Sequence, residues 1–408
     1  MSRRNVDFFC AVVIVGLMAG VAGLCTTLLL HYFEHLTYRY TFGSLLEGVT
    51  GSSPVRRVLG PMVGGALAGL GWWILRPRAD VPPLSTAILN RQRIRLLPFA
   101  LDAALQVVVV GSGASLGREV APRQLAVALG NFATRWLKRL SPRDREILLA
   151  CAAGAGLGAV YAVPLGGALF SLRIMLKTWH PRAVGAALIT SSLAVSVASY
   201  ATHNQLSLHW PNPHISYKLL AYVLLLCPLT FVVGLVFNRV MAAAHRTALT
   251  RSWLLIPAIA GAGLLIGVCS HWWPELPGNG KSILTATLAG GMTLTTAAAV
   301  LLLKPVLTAV FLRAGATGGL LTPALATGAA AGTLFVLAIN AAAGTHFHVQ
   351  AVSLAGAAGV LAVTQGTPFW AAIFVWELAR PPIWLLLVFL IAALGSYGIA
   401  RLVDRDPG

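Results

Sequence analysis

Gly113-Ala114-Ser115-Leu116-Gly117-Arg118-Glu119-Val120-Ala121-Pro122 and Gly315-Ala316-Thr317-Gly318-Gly319-Leu320-Leu321-Thr322-Pro323 are two versions of one pattern in opposite halves of the chain. Each is a glycine-rich break, then a proline, then an Ala/Gly-rich stretch. Proline is tolerated in a first helical turn, where its missing N–H is no loss. The pattern therefore predicts two helices that start abruptly at glycine breaks. Further along, Gly156-Leu157-Gly158-Ala159-Val160-Tyr161-Ala162-Val163-Pro164-Leu165 is echoed by Gly359-Val360-Leu361-Ala362-Val363-Thr364-Gln365-Gly366-Thr367-Pro368-Phe369. Shared order and near-equal spacing predict a duplicated unit within a single domain 1–408. Its halves are 1–205 and 206–408, with the seam in the polar connection Ala201–Tyr217.

The surroundings decide the class. Of 408 residues, 57% are hydrophobic and only 10% charged, against about 25% charged in a soluble domain. Most of the surface must then face lipid. Val12–Leu30, Val58–Leu75, Leu219–Phe237, Leu254–Ser270, Leu320–Ala343 and Leu385–Ala400 approach or reach the ~20 residues of a bilayer-spanning helix. Shorter apolar segments predict tilted, broken or re-entrant helices packed against protein. The expected fold is all-α: a multi-pass membrane protein built of two inverted-topology repeats.

The net charge is +18. The basic residues cluster in short loops: Arg91, Arg93 and Arg95; Arg135, Lys138, Arg139, Arg143 and Arg145; Arg173, Lys177 and Arg182. Such clusters mark cytoplasmic loops, and no stacking aromatics are interleaved as a nucleic-acid surface requires. Arg3 and Arg4 put the N-terminus in the cytoplasm, and the expected location is the cell (inner) membrane. Arg39, Arg56 and Arg57 fall outside, against the rule. Cys10, Cys25, Cys151, Cys227 and Cys269 are scattered singly and predict small buried apolar side chains, not disulfides or metal ligands.

Helix N-termini carry unpaired N–H groups and a partial positive charge. Two of them near the membrane centre would bind an anion loosely enough to release it, as a full basic side chain would not. Arg118, Val120, Gly319, Leu320 and Leu321 are the candidate anion-binding positions, through their backbone. Glu119, one of twelve acidic residues, stands at the start of the first such helix. Its carboxylate can occupy the place of the permeating anion and yield it on protonation or rotation, which makes it the candidate gate.

At these residues the chain resembles the CLC chloride channel and transporter family. Gly117-Arg118-Glu119-Val120-Ala121-Pro122-Arg123-Gln124 is similar to the family's G-R-E-G-P-x-V-Q block, whose glutamate is the external gate. Gly319-Leu320-Leu321-Thr322-Pro323 is similar to G-x-F-x-P, with Leu321 in place of the aromatic. Ala162-Val163-Pro164-Leu165 through Phe170 is similar to A-P-L-x-G-x-L-F. The resemblance covers about Val58–Arg401 and implies a homodimer with one pore per subunit, chloride as substrate, no cofactor and no enzymatic activity. It also implies no nucleotide-binding tail after Gly408.

There are departures. The family's serine loop corresponds to Arg78-Ala79-Asp80-Val81-Pro82, with Ala79 where the serine would stand. Tyr397 falls before the position of the coordinating tyrosine. Proton-coupled members carry an internal glutamate where this chain has Arg173 and Ile174. That favours channel-like conduction over proton–chloride exchange, while the choice among chloride, fluoride and nitrate stays open.

Two other classes compete. His31-Tyr32-Phe33-Glu34-His35 matches a zinc-peptidase pentad, but it ends the first apolar run and lacks a clear third ligand. A secondary transporter of another solute would use the same repeat logic. His203, His209, His214, His346 and His348 are expected to be solvated loop residues.

Overall fold

The computed structural model describes residues 3–202, 217–344 and 347–403. His203, His209, His214 and His346 lie outside the described residues, as does nearly all of the predicted seam. The described residues form seventeen α-helices and one π-helical turn. In chain order these are α1 (Arg3–Tyr38), α2 (Leu45–Gly51), α3 (Pro54–Leu75), α4 (Leu84–Leu89), α5 (Leu96–Gly111), α6 (Val120–Thr134), α7 (Pro142–Tyr161) and α8 (Pro164–Leu169). The π turn Phe170–Leu176 follows, then α9 (Pro181–Thr202), α10 (Tyr217–Arg246), α11 (Leu255–Cys269), α12 (Lys281–Leu288) and α13 (Leu294–Arg313). The chain ends in α14 (Leu321–Ala343), α15 (Val349–Gln365), α16 (Pro368–Ala379) and α17 (Leu385–Val403). Among the described residues the sole β-type pairing is an isolated bridge between Gly117 and Gly319.

Among the described residues, seven helices are long and apolar enough to cross a bilayer: α1, α3, α9, α10, α13, α14 and α17. The run Leu254–Ser270 folds instead as α11, fifteen residues long and short of a full span. Conversely, α9 and α13 did not stand out as apolar runs. The hydroxyls of Thr190, Ser191 and Ser192 interrupt the first, and Lys304-Pro305 the second. A hydroxyl or amine leaves the helical backbone bonds intact, and Pro305 removes only one of them, so both helices continue.

The chain forms two compact units that are not simple sequence halves. The first comprises Met1–Tyr32, Gly71–Val108 and Arg118–Leu206; the second comprises Phe33–Leu70, Val109–Gly117 and Ser207–Gly408. In the first unit α7 is the centre, buried from Ala150 to Ala162 and packed on α6, α8 and α9. Its small residues permit this: a Cβ on Gly156 would stand 2.6 Å from the Pro122 carbonyl oxygen of α6. Close backbone approach of this kind is how helices associate where no hydrophobic difference separates protein from lipid. Asp144, buried in the first turn of α7, pairs with Arg4 of α1 and Arg182 of α9, each at 2.9 Å.

In the second unit α15 has the same office. It is buried from Ala351 to Ala362 and packs on α14, α16, α17 and α10. A Cβ on Gly328 of α14 would stand 2.6 Å from the Gly356 carbonyl oxygen. The backbone is alike at matching points of the two units. Ala162 ends α7 and Gly366 ends α15, both left-handed, at φ 54° and 65°. Val163 (φ −122°, ψ 77°) and Thr367 (φ −138°, ψ 79°) then lead into Pro164 and Pro368 at the first turns of α8 and α16.

Arg56 and Arg57, awkward for a charge rule, have a local reason to be where they are. Arg56 donates to the carbonyls of Leu36 and Thr37 in the last turn of α1. Arg57 donates to Thr50 O in α2 and to Ser270 O after α11. Cations stabilise helix C-termini by this contact. All five cysteines are free, but Cys10 and Cys25 are exposed, which corrects the expectation of buried positions.

Candidate functional site

In the second unit, α5 ends at Gly111 and the chain reverses through Gly113, whose φ of 112° is open mainly to glycine. A Cβ there would also collide with the Tyr38 hydroxyl. Gly315, in the matching place of the second pattern, has φ 91°. The two breaks meet at their last residues. Gly117 N donates to Gly319 O at 2.7 Å, and Gly319 N donates to Gly117 O at 2.8 Å. The Ser115 hydroxyl bonds that of Thr308 on α13 at 3.0 Å. Leu320, half-buried, is the cap residue of α14, and its side chain makes no cap bond. Leu321, buried, opens the helix, and Pro323 is its third residue.

In the first unit, α6 opens at Val120, half-buried, with Pro122 as its third residue. Glu119 is its cap residue, but it adopts a helical φ and ψ and its side chain does not cap. The carboxylate is buried, at 1% exposure. It accepts a hydrogen bond from the Tyr161 hydroxyl at 3.2 Å. Arg118 points elsewhere: its guanidinium donates to Val160 O at 2.9 Å and lies 5.2 Å from the centre of the Tyr161 ring. Arg118 and Glu119 therefore hold opposite ends of one tyrosine. Arg123 stacks on Phe170 at 5.0 Å.

Chemically, this is a buried carboxylate with a hydroxyl donor, at the head of a helix whose first-turn N–H groups no side chain caps. Sequence reasoning singles out Glu119 but not Tyr161 or Thr308, which contact Glu119 and Ser115 in the structure. Tyr161 was detectable in principle, as the lone aromatic hydroxyl in Gly156-Leu157-Gly158-Ala159-Val160-Tyr161-Ala162. Thr308 was not, because its role depends on where α13 runs.

The departures also have places. Ala79 lies in the linker between α3 and α4, half-buried. Arg173 falls in the π turn, exposed, with its guanidinium 5.6 Å from the centre of the Trp179 ring; Ile174 is half-buried. Tyr397 lies on α17 under Arg401, at 5.7 Å. His31, Glu34 and His35 end α1, and the described residues contain no group of three side chains that could hold a metal.

Comparison with known proteins adds three findings. A family model described as voltage gated chloride channel matches residues 64–401. A protein named voltage-gated ClC-type chloride channel ClcB, from Escherichia coli O81 (strain ED1a), is 29% identical over 405 residues, covering 96% of this chain and 95% of its own length. Among solved structures, a slow cyanobacterial Cl-/H+ antiporter superposes with a TM-score of 0.79 at 18% identity, over 98% of this chain and 99% of its own. A CLC-type fluoride/proton antiporter does so with 0.77 at 17%, over 98% and 97%.

Proposed function

We propose, because this chain belongs to the voltage-gated chloride channel family, that it carries chloride across a cell membrane with Glu119 as its gate. Anion transport is the activity of that family, and the apolar helices suit a multi-pass membrane protein. The finer reading rests on one observation: the reciprocal pairing of Gly117 with Gly319. Each glycine is followed within three residues by the first turn of a helix. The anion is held by backbone amides at those starts, Arg118 and Val120 in one, Leu320 and Leu321 in the other; Gly319, expected among them, spends its N–H on Gly117 O and fixes the loop instead. Partial charges bind it without trapping it. Glu119 competes for the place while ionised and inward. It yields when protonated or turned out. The Arg118 guanidinium, on Val160 O and the Tyr161 ring, and the Tyr161 hydroxyl, on Glu119, brace the loop and are not themselves ligands.

Conduction is channel-like. Arg173 and Ile174 occupy the position of the internal acid that relays protons, and neither relays one. The chain is a homodimer in an inner membrane, with its N-terminus cytoplasmic, and comprises two inverted repeats, 1–205 and 206–408. No cofactor or catalytic step enters. Proton-coupled exchange is the second reading, favoured by the burial of Glu119 beside a hydroxyl, where a proton can be held.

Chloride efflux from liposomes carrying the purified chain tests the main reading. Reversal potential under a proton gradient separates the two mechanisms: a channel sits at the chloride potential, an exchanger is displaced by the proton gradient. Absence of chloride flux from folded protein would sink both.

A further inference from the structure

Lys304 lies within an apolar helix, α13, and is fully buried. Among the described residues no carboxylate pairs with it. Its Nζ donates instead to two carbonyls in the loop before α12, Leu276 O at 2.9 Å and Gly278 O at 2.6 Å. Ionisable groups inside membrane segments are costly and are kept for a function by default. The loop shows what this one is for. Gly278, held by Lys304 at its oxygen, donates its own N–H to Gly113 O at 2.9 Å. One turn further along α13, Thr308 bonds Ser115 at 3.0 Å, and its hydroxyl also donates to Lys304 O at 2.9 Å. Gly113 and Ser115 are the first and third residues of the break that ends at Gly117.

We propose that Lys304 and Thr308 are positioning residues for the anion site: one turn of α13 grips the Gly113–Gly117 break at two points and sets its register against Gly319. The proposal rests on the transport reading and extends it to residues that touch no anion. Filling space alone would not require this arrangement. A methionine would fill a similar volume without burying an amine, and the Lys304 Cε makes only ordinary van der Waals contact, 3.7 Å, with the place of a Cβ on Gly280. What the amine adds is direction. Two carbonyls are drawn to one point, so the Gly278 N–H faces Gly113. Because Gly117 and Gly319 are joined by short reciprocal bonds, a shift at Gly113 is carried to the amides that begin α14.

The test uses the full chain, purified and also reconstituted in phosphatidylcholine–phosphatidylglycerol vesicles. Chloride binding is measured by calorimetry and the chloride-to-nitrate flux ratio in the vesicles. Loss of the two amine hydrogen bonds to Leu276 O and Gly278 O should make Lys304→Met bind chloride about tenfold more weakly and move its flux ratio towards one. Lys304→Arg, which keeps the donors, should restore most of both. Thr308→Val should shift both in the same direction, and adding Ser115→Ala to it should change nothing more. A folded Lys304→Met that matches the parent overturns the proposal, as does Lys304→Arg failing as badly as Lys304→Met. If Lys304→Met does not fold, Thr308→Val decides, and parental affinity and flux ratio in it overturn the proposal. A parent chain without chloride binding or flux overturns the transport reading and this one with it; a normal parent with unmoved variants overturns this one alone.

Discussion

Gly117 and Gly319 each donate to and accept from the other, at 2.7 and 2.8 Å, and each is the last residue of a Gly-Ala-x-x-Gly run. A residue that pairs reciprocally with its own counterpart is what a local two-fold axis between two related segments produces. Positive φ at Gly113 and at Gly315 agrees with that relation. The pairing also needs little sequence beyond glycine, since it uses only backbone atoms.

Glu119→Gln removes the competing charge but keeps shape and burial. Chloride flux at neutral pH should rise and its pH dependence should disappear, as measured by efflux from liposomes. Unchanged flux with unchanged pH dependence would mean that Glu119 is not the gate.

Tyr161→Phe deletes a hydroxyl that donates to Glu119 while preserving the ring beneath Arg118. A hydrogen bond to a charged group contributes about 1.5–3 kcal/mol, so the inward position should weaken and flux rise by about tenfold or more. The same substitution placed on Glu119→Gln should have a much smaller effect. Equal effects in both backgrounds would show that Tyr161 acts independently of the carboxylate.

Gly113→Ala should destabilise the protein by about 1–2 kcal/mol from the left-handed backbone alone, with a steric term added by the Tyr38 hydroxyl. Tyr38→Phe should recover the steric part and not the backbone part. Thermal unfolding in detergent of the two single variants and the double variant checks this; a Gly113→Ala as stable as the parent contradicts the geometry.

Asp102, buried on α5, accepts from Trp72 Nε1 at 2.8 Å, from Gln106 Nε2 at 2.8 Å and from Gln124 Nε2 at 3.0 Å, joining α3, α5 and α6. Asp102→Ala leaves the Trp72 Nε1–H buried without its acceptor, at about 1–3 kcal/mol, while Gln106 Nε2 keeps Gln124 Oε1 and Gln124 Nε2 keeps Phe99 O. It should lower the unfolding temperature clearly more than Asp102→Asn, which keeps one oxygen.

Asp144 gives a pH prediction. Burial raises its carboxyl, but bonds from Ser141 and Arg4 and the charge of Arg182 outweigh that and hold it below its ordinary value. A depressed acid stabilises the fold above the unfolded carboxyl pKa of about 3.9 and loses that contribution as pH falls through the lower folded value. The unfolding-temperature gap between parent and Asp144→Asn should therefore be constant from pH 7 to about 5 and close below about pH 4. A gap independent of pH would show that Asp144 contributes only by shape.

Much was already determined by the sequence. A 10% charge content leaves lipid as the only solvent for most of the surface, and lipid forces the backbone into helices. Glycine breaks before Pro122 and Pro323 marked two helix starts, because backbone rules at helix ends are local. Glu119 was legible for the same reason, as a rare acid at a marked start. What only tertiary structure decided was partnership. Tyr161 on Glu119, Thr308 on Ser115 and the three-way pairing at Asp144 join residues 42, 193 and as many as 140 positions apart. Run length scores side chains one at a time, so it did not separate the fifteen-residue α11 from the full spans α9 and α13. A buried hydroxyl or amine becomes acceptable only once a distant carbonyl has been brought to meet it.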